Sequence, residues 1–114
     1  MLRLEELGST ISTALKSEIA APEEPGRESY IIREPYGVVF SMTPWNAPFV
    51  LSSRATATPI IAGNTVVLKT SELSPLSNII IAQLFVEAGL PPGVLNVIHC
   101  SVENAPKVRD GVGD

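Results

Sequence analysis

Three polar side chains in this sequence fall where apolar runs end. Asn46 closes the segment Thr43-Pro44-Trp45-Asn46 after the run Gly37 to Met42, and Lys69 and Glu72 stand at the end of the run Thr65 to Leu68. A primary amide can donate its N–H to a developing oxyanion. A lysine beside a carboxylate can grip two neighbouring hydroxyls, such as those of a ribose. The carboxylate accepts from the O–H groups and the ammonium donates to their oxygens. Each residue also has a plainer reading. Asn is a common N-cap of a following helix, Trp45 is a natural packing residue, and Lys69 with Glu72 can be an exposed ion pair worth about 0–1 kcal/mol. On spacing alone these plainer roles are the commoner ones, and it is the combination that weighs against them. If the two runs are adjacent parallel strands, about 4.8 Å apart, all three groups open on one crevice at the strand ends. That is where open α/β sheets bind ligands.

The elements that would position these residues are legible from hydrophobic spacing. Leu4, Leu7, Ile11, Leu15 and Ile19 recur at helical intervals with polar residues between them, which predicts an amphipathic N-terminal helix. Pro22, Pro25 and Gly26 make a loop, and Tyr30-Ile31-Ile32-Arg33 is a short strand ended by Pro35. From Gly37 onward strands and helices alternate. Gly37 to Met42 is a buried strand. Ala47 to Ala62 is a helix with Pro48 in its first turn and Gly63 after its end. Thr65 to Leu68 is a second buried strand. Ser74-Pro75 opens a helix over Leu76 to Ala88, and Val94 to Ile98 is a third strand. Glu103 to Arg109 begins another helix. The strand–helix–strand–helix–strand order predicts a parallel sheet. The fold class is therefore α/β, a partial Rossmann-like βαβαβ sheet preceded by an amphipathic helix and a short strand. The division falls between residues 1–36 and residues 37–114. In the helix from Leu76, the residues Ile79, Ile80, Ile81, Leu84, Phe85 and Val86 cover more than one face. A surface helix needs only one apolar stripe, so this one expects cover on a second side.

Composition narrows the function classes. A net charge of -4 over 114 residues is the wrong sign for a nucleic-acid platform. One cysteine, Cys100, excludes an internal disulfide, and Cys100 with the single histidine, His99, cannot make a zinc site from these ligand types alone. The expected compartment is reducing and cytoplasmic, with no membrane span. A phosphate-cradling GxGxxG or GxxxxGK[ST] loop is missing from the sequence. Cys100 adjoins His99, but neighbours on an extended chain point to opposite sides, so the pair does not read as a nucleophile and its base.

The motifs together resemble the aldehyde dehydrogenase superfamily. Pro44-Trp45-Asn46, Gly63-Asn64-Thr65-Val66-Val67-Leu68-Lys69, Ser71-Glu72 and Ala88-Gly89-Leu90-Pro91-Pro92-Gly93-Val94-Leu95-Asn96-Val97 occur in the family's order and spacing, from about Arg33 to Ile98. The resemblance implies NAD(P)-dependent oxidation of an aldehyde to a carboxylic acid. In that family a cysteine attacks the aldehyde, hydride passes to the nicotinamide, and a glutamate activates water. It implies that Asn46 helps to stabilise the oxyanion, that Lys69 and Glu72 hold the adenosine ribose, and that Trp45, Asn46 and Ser71 belong to the segments lining the cofactor crevice. It implies no metal. Glu72 would repel a 2′-phosphate, so NAD is expected over NADP. Thr70 departs from the family, which often has proline there. The family's glycine-rich segment, general-base glutamate and nucleophilic cysteine have no counterpart before Asp114. Residues 37–114 are therefore expected to be a partial NAD-binding domain, inactive alone. The pattern Thr43-Pro44-Trp45-Asn46-Ala47-Pro48 with Arg54-Ala55-Thr56-Ala57-Thr58-Pro59 looks most like members acting on aromatic aldehydes, of the salicylaldehyde and vanillin dehydrogenase kind. Family members form homo-oligomers. The alternative expectation is a non-catalytic interaction module that associates with a complete subunit of the family.

Overall fold

A parallel sheet of three strands carries the site. It is formed by β3 (Val38–Met42), β4 (Thr65–Lys69) and β5 (Leu95–Ile98), in the order β3-β4-β5. The computed structural model describes residues 16–20 and 26–111. Two helices, α1 (Pro48–Ile61) and α2 (Pro75–Glu87), connect the strands and pack against each other and the sheet. A 3-10 turn (Val102–Asn104) and α3 (Ala105–Gly111) follow β5. The architecture is α/β with the expected βαβαβ order.

The register sets the two faces. Val39 pairs with Val66 and Ser41 with Leu68. Val66 and Leu68 have no exposed surface and form the centre of the core with Ala57 of α1 and Ile81 of α2. Successive residues of a strand alternate faces, so Val38, Phe40, Met42 and Val67 lie on the opposite side, where Val38 and Met42 are exposed.

Local chemistry explains why the helices start and stop where they do. Both carry proline in the first turn, where the missing N–H costs nothing. Both end in the same double-bonded cap. Gly63 N–H donates to Ile60 C=O and Asn64 N–H to Pro59 C=O; in α2, Gly89 N–H donates to Val86 C=O and Leu90 N–H to Phe85 C=O. The cap needs a left-handed residue, and Gly63 and Gly89 supply it with φ of 86° and 91°. Pro59 lies inside α1 and cannot donate to the Ala55 carbonyl four residues earlier. The Ser41 hydroxyl of β3 donates to that carbonyl instead, at 2.9 Å. A helix defect is thus repaired by the neighbouring strand. Asn64 acts as a clamp. Its Oδ1 accepts from Gly37 N–H and its Nδ2 donates to Pro59 C=O, each at 3.0 Å, which ties the start of β3 to the end of α1.

The chain start departs from expectation. Most of the helix predicted from Leu4 to Ile19 falls outside the described residues. Its last stretch is a strand, β1 (Glu18–Ala20), antiparallel to β2 (Ser29–Ile31), with Glu18 opposite Ile31 and Ala20 opposite Ser29. Ladder pairing overrides a local helical rhythm here. The Arg33–Glu18 ion pair at 3.1 Å, between two exposed side chains, lies beside that ribbon. Leu76, Ile79, Ile80, Leu84 and Val86 of α2 are all exposed, while Ile81 is buried, so the second apolar side of this helix has no cover among the described residues.

Candidate functional site

The cleft lies at the carboxyl ends of β3 and β4. Met42 pairs with Lys69, and the ladder runs one step further through Thr43 N–H donating to Lys69 C=O at 3.1 Å. Met42, Thr43, Pro44, Lys69, Ser71 and Glu72 line a crevice of about 360 Å³. The structure therefore brings Lys69, Ser71 and Glu72 together. The spacing argument missed Met42 and Thr43 as walls of the cleft. Their signal was the register itself, which places the last residues of two parallel strands side by side.

Lys69 is not the exposed lysine of an ordinary surface pair. Its side chain is 6% exposed, and its ammonium lies 3.6 Å from a carboxylate oxygen of Glu72, whose side chain is 38% exposed. One partner is held in the wall and the other faces the opening. The turn that carries Glu72 is fastened from both sides. Thr70 N–H donates to Ile98 C=O at 3.2 Å, and the Thr70 hydroxyl is hydrogen-bonded to His99 Nδ1 at 2.5 Å. The Ser71 hydroxyl accepts from Leu73 N–H at 3.2 Å, a local side-chain turn. Thr70 and Ser71 are both buried.

The β3 side of the rim is looser. Trp45 is 60% exposed and Asn46 is exposed. Neither is among the residues lining the cleft, although both follow Pro44 on the same loop. Asn46 makes no side-chain hydrogen bond among the described residues. Its capping role does not hold either: Ala47 occupies the N-cap position of α1, with no side-chain cap. Ser74 does sit at the N-cap of α2, but its hydroxyl makes no cap bond and is buried without a hydrogen-bond partner. Trp45 is not the core residue that its size suggests.

Behind the cleft lies a buried polar cluster that spacing did not reveal. The Thr43 and Ser52 hydroxyls are 3.0 Å apart, Ser52 donates to Asn78 Oδ1, and Asn78 Nδ2 donates to Ser74 C=O at 3.0 Å. Thr43, Ser52 and Asn78 are all buried. Cys100 is a free, half-buried thiol beyond the end of β5. Among the described residues no group of three or more His, Cys, Asp or Glu could hold a metal ion, and no helix is long and apolar enough to cross a membrane.

A parallel α/β sheet with a charged cleft at its strand ends places this chain among the α/β proteins whose sheets open a crevice at the carboxyl edge. Residues 4–108 match the aldehyde dehydrogenase family, and the chain belongs to that family. It is 43% identical over 100 residues to vanillin dehydrogenase of Pseudomonas sp. (strain HR199 / DSM 7063), covering 88% of this chain and 21% of that protein. Among solved structures it is similar to a salicylaldehyde dehydrogenase from Pseudomonas putida G7 complexed with salicylaldehyde, with a TM-score of 0.87 and 37% identity over 96% of this chain and 22% of that one. It is also similar to an NAD-dependent benzaldehyde dehydrogenase from Corynebacterium glutamicum, with a TM-score of 0.78 and 31% identity over 88% of this chain and 22% of that one. The chain thus spans about a fifth of the length of the curated relatives it matches.

Proposed function

We propose that this chain forms the ribose-gripping part of the cofactor site of an aldehyde dehydrogenase that oxidises aromatic aldehydes with NAD, in the cytoplasm. The observation that carries the reading is the pairing of a buried Lys69 with a half-exposed Glu72 at the mouth of the strand-end cleft. The donor set suits a ribose. One ammonium supplies N–H donors, one carboxylate supplies acceptors, and a vicinal diol offers both complements. NAD when bound would supply the hydride acceptor. The chain's own residues bind and orient: Lys69 and Glu72 hold the two hydroxyls, and Ser71 keeps the Glu72 turn in shape. Asn46, on the loop that leaves β3, presents a free amide N–H suited to an aldehyde oxygen as it gains negative charge. Trp45 beside it, 60% exposed and outside the cleft lining, offers an aromatic face on the same loop.

Glu72 also argues for NAD over NADP. A 2′-phosphate on the same ribose would meet a carboxylate with no second cation among the cleft-lining residues to offset it. The aromatic substrate rests on the likeness to vanillin, salicylaldehyde and benzaldehyde dehydrogenases. The division into residues 1–36 and a cofactor-domain portion from residue 37 belongs to the same proposal. Calorimetric titration of the chain with NAD and NADP is the direct test. NAD binding lost in Lys69→Met is expected, and a lower dissociation constant for NADP than for NAD would overturn the cofactor assignment.

A further inference from the structure

The buried cluster behind the cleft has a direction. The Ser52 hydroxyl has one proton and gives it to Asn78 Oδ1, so the Thr43 hydroxyl must be the donor in the 3.0 Å contact with Ser52. Asn78 in turn donates from Nδ2 to Ser74 C=O at 3.0 Å. The chain of donors therefore starts at the cleft wall on the β3 rim, crosses α1 at Ser52, passes through α2 at Asn78, and ends at Ser74. Ser74 N–H donates back to Ser71 C=O at 3.3 Å, closing the turn that holds Glu72. The two rims of the cleft are thus joined through the helix layer as well as through the sheet. Asn78 is the joint. It must accept on one side and donate on the other, which a primary amide does with separate atoms, Oδ1 and Nδ2.

We propose that Asn78 is a positioning residue for the cleft: it fixes the Glu72 turn relative to Thr43 on the opposite rim through this one-way relay. Asn78 has no exposed surface and touches no ligand; it acts through Ser74 and Ser52. The proposal rests on the ribose reading of Lys69 and Glu72 for its effect on affinity, but not for its effect on geometry. The two parts are measured separately.

The experiment uses the 114-residue chain with Asn78→Ala, Glu72→Gln and the double variant. It follows NAD affinity by calorimetry, the backbone amide signals of Thr43 and Glu72 by NMR, and thermal unfolding. Asn78→Ala is expected to weaken NAD binding about fivefold while unfolding stays cooperative, and to displace both amide signals. Combined with Glu72→Gln it should cost less than the product of the single effects, because both act through one group. A folded Asn78→Ala variant with unchanged affinity and unmoved Glu72 and Thr43 signals would overturn the proposal. If the unsubstituted chain binds no NAD, the ribose reading falls and the amide signals alone decide: displaced signals support the relay, unmoved signals refute it. If Asn78→Ala does not fold, Ser52→Ala takes its place, since it keeps the Asn78–Ser74 bond while removing the Ser52 hydroxyl that links Thr43 to Asn78. A displaced Thr43 signal and about a twofold loss of affinity are then expected, and no change in either overturns the relay.

Discussion

The two rims of the cleft are built in opposite ways. On the β4 side, Lys69, Thr70 and Ser71 are all buried, and each is tied by at least one hydrogen bond or ion pair. On the β3 side, the wall is firm only as far as Thr43; Trp45 and Asn46 stand in the open. The difference tracks what each side is proposed to do. A ribose grip must be in place before the ligand arrives, since ordering it at the moment of binding would cost affinity. An oxyanion donor acts on an atom that lies elsewhere in the site, so its own strand need not enclose it.

The comparison can be broken at its stronger side first. Leu68→Ala removes a side chain with no exposed surface from the central strand. It is expected to cost about 3 kcal/mol, measured by urea unfolding, and NAD binding should be lost with it. An effect below that of an exposed substitution would mean that the β4 side is not the rigid one. Glu72→Gln comes next. It keeps the shape and removes the charge, and it should narrow the preference for NAD over NADP about tenfold, or ~1.4 kcal/mol, with little change in unfolding. Equal preference ratios before and after would remove Glu72 from cofactor selection. The open side should yield much less. Trp45→Ala and Asn46→Ala are each expected to shift stability by within about 0.5 kcal/mol, and a larger loss would show that the loop is packed after all.

The smallest effect lies far from both rims. The Tyr30 hydroxyl donates to the Glu28 carboxylate at 2.5 Å, and this bond raises the phenol's pKa above the ordinary tyrosine value. Because the folded value is the higher one, the contribution is present below the ordinary tyrosine range and is lost as pH rises through the folded value. Glu28→Gln should lower the midpoint of the Tyr30 absorbance titration toward the ordinary value, with Tyr36→Phe as background, and leave both rims unaffected.

Much of this arrangement is legible in the chain, and the parts that are not share a cause. The β3, β4 and β5 strands, both crossover helices and their glycine ends follow from apolar runs and local turn chemistry, because each signal lies within a few residues of its effect. Lys69 and Glu72 are also found this way, since a strand end is a local event. What spacing misreads is decided by distant partners. Glu18 to Ala20 become a strand because residues 29–31 pair with them. Asn46 fails to cap because α1 begins at Pro48, one residue later than expected, which leaves Ala47 at the N-cap. The relay through Ser52 and Asn78 joins residues separated by 26 positions. Two polar residues inside apolar helices looked unremarkable singly; only the packing of α1 on α2 makes them a pair.

The order of strands has a further consequence, for time rather than structure. β4 is bonded on both flanks, whereas β3 and β5 are each bonded on one among the described residues. Amide protons of the middle strand point alternately to its two flanks, as Thr65 N–H to Gly37 C=O and Val66 N–H to Val94 C=O show, so opening one outer strand frees only half of them. Lys69 sits at the end of that middle strand. In a deuterium experiment the strand that carries the site's buried cation should be the last to take up label, while the β3 rim facing it, bonded on one flank among the described residues, sets how long the whole cleft persists.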